Sequence, residues 1–176
     1  SGLYGVSKVL GERLGVYYHQ RFGIDFRCVR LSAMVAPTAP AGGAASAFVC
    51  ELFAEAALTG AYTLYVYPTS RVPIVWVEDV VSALQMLNEA HEDSLTRRVY
   101  HIIGDGPTVQ DMVDAVQARL PGARLSFNID PVRADLVESW PSRMDDSAAR
   151  ADWGWEPKFD LERMTVANLS ALGVNL

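Results

Sequence analysis

From Gly5 to Arg21 apolar residues recur at helical spacing (Val6, Val9, Leu10, Leu14, Tyr17, Tyr18), and Phe22-Gly23 supplies a stop signal. The run IDFRCVRLSAMV (24–35) follows, apolar enough to predict a strand buried in a parallel sheet. Prolines and glycines make APTAPAGG (36–43) a loop, and a helix is expected from about 44 to 59, ending at Gly60. YTLYVYP (62–68) and VPIVWV (72–77) predict short β segments, the second leading through Glu78-Asp79 into a helix to about Ala90. RVYHII (98–103) predicts a strand, GDGPT (104–108) a turn, and Thr108 is placed to cap a helix over 109–120. A strand at 124–129 and helices near 131–138, 146–153 and 160–172 complete the pattern. Strand and helix alternate, so the class is α/β. A helix followed by a buried strand matches the later part of a doubly wound sheet.

Composition narrows the partners. Of 176 residues half are hydrophobic and a fifth are charged, with a net charge of −6. That sign argues against nucleic acid or an anionic membrane as the main partner. No apolar stretch is long enough to span a bilayer, and the first residues lack a signal pattern, so a cytoplasmic protein is expected. Cys28 and Cys50 lie in apolar segments without metal-ligand spacing, which reads as buried reduced thiols. His19, His91 and His101 show no metal spacing either, and no metal is expected.

The candidate chemistry is the stretch YGVSK (4–8). Positions four apart on a helix share a face, which puts the Tyr4 phenol and the Lys8 ammonium within reach of one small molecule. A free phenol, with a pKa near ~10, carries protons poorly at neutral pH, and a neighbouring cation favours its ionised form. Tyr4 is therefore the candidate acid/base, with Lys8 also able to hydrogen-bond a ribose hydroxyl. An amphipathic helix bearing one aromatic and one charged residue is the plainer alternative.

The wider context favours the chemical reading. YGVSKVLGERLGVYYHQRFGIDFRCVRL, GG at 42–43, SRVPIVWVEDV at 70–80 and ESWPSRMDDSAARADWGWEPKFDL at 138–161 together resemble extended short-chain dehydrogenase/reductases, the NAD-dependent epimerase/dehydratase superfamily. The SWP and DDSAARxDWGW blocks are similar to the short-chain type of L-threonine 3-dehydrogenases. The resemblance implies the C-terminal part of a Rossmann-like doubly wound parallel sheet plus a small α/β substrate-binding domain. Residues 1–60 would carry the catalytic helix, a sheet strand and the following helix, and 61–176 mainly the substrate domain with a returning core strand. It further implies NAD (NADP remaining open), a homodimer or higher self-association, Tyr4 as acid/base and Lys8 at the ribose. Leu31 and Met34 would lie beside the nicotinamide, and Ala45, Ser46, Arg71 and Trp140 near the substrate. Arg71 as a solvated arginine and Trp140 as plain core packing are the alternatives for those two residues.

Two departures from the family stand out. No glycine-rich dinucleotide fingerprint occurs, and GDGPT has the wrong spacing and position for one. A nucleotide-binding half of about 130 residues is thus expected to belong to a longer parent protein, and this chain alone is expected to bind NAD weakly or not at all and to be inactive. Second, an ungapped match puts Ala44-Ala45-Ser46-Ala47-Phe48 where threonine dehydrogenases carry a Gly-Thr-Thr-Asp-Tyr-like stretch, and LSAMVA (31–36) replaces a Tyr-Pro-Gly run. Such a site suits a zwitterionic amino acid less well and points toward hydroxy acids. A nucleotide-sugar epimerase or dehydratase on the same scaffold, and a non-catalytic interaction module, are the other readings.

Among the remaining residues, Asp79 is expected to cap or charge a helix start, DDSAAR to open a helix, and Trp153 and Trp155 to pack in the core.

Overall fold

The computed structural model describes residues 2–38 and 45–176. Gly42, Gly43 and Ala44, expected at the loop end and helix start, lie outside the described residues. The chain begins with helix α1 (Leu3–Phe22), which ends where Gly23 takes a left-handed conformation (φ 69°) and its N–H donates to the His19 carbonyl. No α1 residue is buried.

Strands β1 (Cys28–Leu31) and β2 (Ala33–Val35) replace the single buried strand expected over 24–35. β1 pairs in parallel with β5 (Val99–Ile102), β2 in parallel with β4 (Ile74–Trp76). The change of partner falls at Ser32: its N–H donates to the Ile102 carbonyl at 3.3 Å, whereas that of Ala33 donates to Pro73 at 2.9 Å. Burial is the second correction. Arg30, Leu31 and Met34 are exposed, because among the described residues each strand of this segment is paired along one edge only. Cys28 is likewise only half-buried, whereas Cys50 is buried.

Helix α2 (Phe48–Leu58) is shorter than expected at its start and leads through Gly60 (φ 70°) into β3 (Ala61–Leu64), which pairs in parallel with β6 (Arg124–Phe127). Helix α3 (Val77–Glu89) follows β4 directly. Thr108 caps α4 (Val109–Arg119) through a reciprocal pair of hydrogen bonds with Asp111, as the turn sequence predicts. Three further helices, α5 (Pro131–Glu138), α6 (Ser147–Trp153) and α7 (Leu161–Ala171), complete the chain.

Packing divides into two clusters. The larger surrounds α2, where Phe48, Leu52 and Phe53 meet Leu64, Ile74, Met112 and Met164. The smaller joins α3, β5 and α6 through Leu87, Tyr100, Ile102, Trp153 and Trp155, so both tryptophans pack in the core. Gly104 lies where the turn after β5 crosses β4: an added Cβ would sit 2.8 Å from Met164 Cε and 3.1 Å from the Ile74 carbonyl. Here absence of a side chain permits the close approach.

Asp79 lies in the first turn of α3, as a charge at the helix start is expected to, but it makes no cap there. Its carboxylate, 1 % exposed, accepts from the backbone N–H groups of Lys158 (3.1 Å) and Phe159 (3.1 Å). Those donors belong to the segment before α7, so Asp79 fastens two parts of the chain instead of capping its own helix. The expectation for DDSAAR holds: Asp145 accepts from Ser147 N–H at 2.9 Å, while Asp146 pairs with Arg150 and accepts from the Trp155 indole.

Candidate functional site

Tyr4 and Lys8 occupy one face of α1, with the Lys8 ammonium 5.2 Å from the centre of the Tyr4 ring. The helix turns that carry them are regular, and the Ser7 hydroxyl donates to the Tyr4 carbonyl at 2.7 Å. Both side chains line an open cleft of about 830 Å³ between α1 and β1. Leu31 lines its far wall.

Leu31 also borders a second, smaller cavity of about 180 Å³, walled by Ser32 and Ala33, by Val72 and Pro73, and by Trp140, Pro141 and Met144. Among the described residues no charged side chain lines it. Leu31 is thus a wall shared by the Tyr4–Lys8 cleft and a compartment suited to a small uncharged group. The structure places Tyr4 and Lys8 on one side of Leu31's shared wall and Trp140 in the neighbouring cavity.

The other predicted residues lie elsewhere. Met34 is exposed and lines neither space; its carbonyl accepts from the Cys50 thiol at 3.4 Å. Ala45 and Ser46 form the turn into α2, where the Ala45 carbonyl faces the Tyr65 hydroxyl at 3.4 Å. The Arg133 guanidinium covers the Tyr65 ring at 3.2 Å. Arg71 is exposed and donates to the Gly106 carbonyl at 2.9 Å, outside both linings. Burial pushes the thiols of Cys28 and Cys50 up from the ordinary range, which makes them poor nucleophiles. Among the described residues no group of three or more His, Cys, Asp or Glu is placed to hold a metal, and no helix is long and apolar enough to cross a membrane.

Residues from Val72, Pro73, Pro141 and Met144 were not foreseen as walls. Sequence offered one signal, the prolines flanking the Arg71 and Trp140 candidates, since proline holds a backbone against a pocket without needing a donor.

A contact that also escaped the sequence holds α1 in place. Glu12 accepts from Arg30 on β1, through Nε at 2.7 Å and Nη2 at 2.5 Å, and Arg30 Nη1 lies 3.3 Å from His101 Nε2. Hydrogen bonding to Arg30 holds the Glu12 carboxyl below its usual value. The pair therefore contributes its full stabilisation above the unfolded-state pKa of ~4.3 and loses it as pH falls through the lower folded-state value. We expect Arg30→Gln to lower the urea midpoint at pH 7, and this difference to shrink below about pH 4. A deficit that persists unchanged at pH 3 assigns the effect to packing and not to the ion pair.

Comparisons with known proteins show the family and the fold. A model of the NAD dependent epimerase/dehydratase family matches residues 1–102, and the chain belongs to that family. Mitochondrial L-threonine 3-dehydrogenase of Bos taurus is 35% identical over 171 residues, a match covering 97% of this chain and 46% of that protein. The crystal structure of L-threonine dehydrogenase from Phytophthora infestans superposes with a TM-score of 0.91 at 35% identity, covering 97% of this chain and 55% of that one. The apo L-threonine dehydrogenase of Cupriavidus necator gives 0.91 at 33% identity, covering 98% and 62%. The chain spans about half the length of the curated relatives it matches.

Proposed function

We propose that this chain forms the catalytic-helix and substrate side of an NAD(P)-dependent oxidoreductase that acts on a small secondary alcohol. The observation that carries the reading is the Tyr4–Lys8 pair on a cleft that shares Leu31 with a small uncharged cavity. These residues fit the ribose and nicotinamide end of the cofactor: an ammonium beside a phenol, and an apolar wall at Leu31. They do not supply the pyrophosphate end, for which the sequence has no glycine fingerprint. Polypeptide of the parent protein would hold that end.

Lys8 would hold the cofactor's ribose and Leu31 would line its nicotinamide, which would supply the hydride acceptor for the alcohol carbon. Tyr4 would take the proton of the substrate hydroxyl at its phenolic oxygen. Lys8 would place its positive charge beside that phenol. Leu31 keeps one wall of the cleft apolar, and the Trp140 cavity orients an uncharged substituent, positioning the alcohol for transfer.

For the substrate we infer a small hydroxy acid in preference to L-threonine, because among the described residues no carboxylate that would pair with an amino acid's ammonium group lines the Trp140 cavity. The parent protein is assayed by NAD(P) reduction with L-threonine and a series of 2- and 3-hydroxy acids. The highest kcat/KM is expected for a hydroxy acid. L-Threonine as the best substrate reverses the assignment, and failure to oxidise any alcohol sinks the oxidoreductase reading itself.

The exposed face of α1 supports a second copy as partner. Leu3, Val6, Val9, Leu10, Leu14 and Phe22 are all between 47% and 84% exposed. Apolar surface left in water costs about 25 cal/mol per Å², and pairing two such helices about a two-fold axis removes it. Light scattering on the 176-residue chain is expected to show dimers or larger species at about 20 µM, an association within the ordinary affinity range. A monomer at that concentration shows the face to be tolerated in water.

A further inference from the structure

The small cavity is bounded by segments far apart in sequence, and a pair of hydrogen bonds ties two of them together just outside it. Ser70, only 2% exposed, donates through its hydroxyl to the Glu138 carboxylate on α5. One turn earlier on the same helix, Asp135 accepts from the Tyr67 hydroxyl at 3.2 Å. Residues 135 and 138 lie on one helix face, and they meet hydroxyls that are also three residues apart.

The location gives the pair its meaning. Two residues beyond Ser70 the chain forms the Val72–Pro73 wall of the cavity, and two residues beyond Glu138 it forms the Trp140–Pro141 wall. Each anchor is rigid toward its wall. The Ser70 carbonyl accepts from Val109 N–H at 3.0 Å and its N–H donates to Tyr67 at 3.1 Å. On the other side the Trp140 N–H donates to Val137 at 3.0 Å, and the Ser139 hydroxyl to Leu136 at 2.6 Å. A movement at the Ser70–Glu138 contact is therefore passed to both walls with little slack.

We propose that Ser70 and Glu138 act as a clasp that sets the width of the substrate cavity, so that they are positioning residues for substrate-size selection. The proposal rests on the oxidoreductase reading above. Neither residue lines the cavity, and neither touches the reacting atoms; their effect is carried by the two walls. Removing the hydroxyl breaks one of the two hydrogen bonds that tie α5 to residues 67–70, which loosens the Trp140 end of the helix against Val72. A wider cavity discriminates less between a methyl and a longer alkyl substituent, where one methylene ordinarily changes selectivity by about 10–200-fold.

The test uses the parent protein with Ser70→Ala, Glu138→Ala, and the conservative Glu138→Gln, which retains a carbonyl acceptor for the Ser70 hydroxyl. Substrates are homologous secondary alcohols that differ by one to three methylenes. The two alanine variants are expected to raise KM for the smallest substrate and to cut the short-to-long kcat/KM ratio about tenfold, with kcat changed about twofold at most. Glu138→Gln should restore most of the ratio. Hydrogen exchange measured on peptides covering 131–144 should speed up in both alanine variants and remain near wild type in Glu138→Gln. Glu138 is exposed, so Glu138→Ala serves if the Ser70 variant does not fold.

An active enzyme whose alanine variants keep the wild-type ratio overturns the clasp, whether or not their thermal stability falls. Unchanged exchange over 131–144 overturns it as well. A wild-type parent that oxidises none of the alcohols removes the oxidoreductase reading, and the selection role goes with it. The wild-type assay and the variant ratio thereby separate the two failures.

Discussion

Tyr4→Phe in the parent protein is expected to lower kcat for alcohol oxidation by about 10²–10⁴-fold, the usual contribution of a positioned acid/base. The substitution deletes one oxygen and leaves the ring that packs under the Lys8 ammonium at 5.2 Å. Nucleotide affinity should therefore change little. Lys8→Met removes the positive charge beside the phenol and the expected ribose donor together, so kcat is expected to fall and the KM for nucleotide to rise. The contrast between the two variants is the diagnostic feature. Steady-state kinetics with both substrates varied would measure it, and a Tyr4→Phe enzyme turning over near the wild-type rate removes Tyr4 from the chemistry.

The largest stability effect is expected at Asp79. Asp79→Ala strips the acceptor from two backbone N–H groups, those of Lys158 and Phe159, in a setting where the carboxylate is 1 % exposed. Buried donors left without partners cost about 1–3 kcal/mol each, so a loss of about 2–4 kcal/mol is expected. Asp79→Asn should be less severe than alanine, since the amide retains one acceptor oxygen while its NH₂ faces a donor. Urea denaturation of the chain measures both. A change within about 0.5 kcal/mol, typical of an unremarkable surface position, would show that water replaces the carboxylate without penalty.

Much of the architecture could be read from local pattern. The stop at Gly23, the capping of α4 by Thr108 and the opening of α6 by the DDSAAR segment all depend on neighbours in sequence. Signals of that kind survive folding because the interacting groups are covalently close. The pair Tyr4 and Lys8 was legible for the same reason: helical geometry alone places residues four apart on one face. The resemblance carried by the SWP block pointed to Trp140, which does border the small cavity.

The errors share a cause of the opposite kind. The segment 24–35 has the composition of one buried strand, yet its hydrogen bonds pass from β5 to β4 at Ser32, and its Arg30, Leu31 and Met34 stay exposed. Which strand lies alongside is a property of the assembled sheet. Asp79 does charge the start of α3, but the two donors it accepts from arrive with the chain 79 residues later. Arg71 donates to the Gly106 carbonyl 35 residues away, and the small cavity is assembled from three separate segments.

By itself, then, the sequence determined the α/β alternation, the helix ends and the spacing of the phenol and ammonium, because these follow from short-range backbone geometry and side-chain chemistry. Tertiary structure alone decided that Leu31 borders both the Tyr4–Lys8 cleft and the Trp140 cavity, that Arg30 pins α1 through Glu12, and that Ser70 meets Glu138. Those contacts join residues 18 to 109 positions apart, counting 30 − 12 and 140 − 31, and only the packed arrangement of strands and helices sets which distant groups meet.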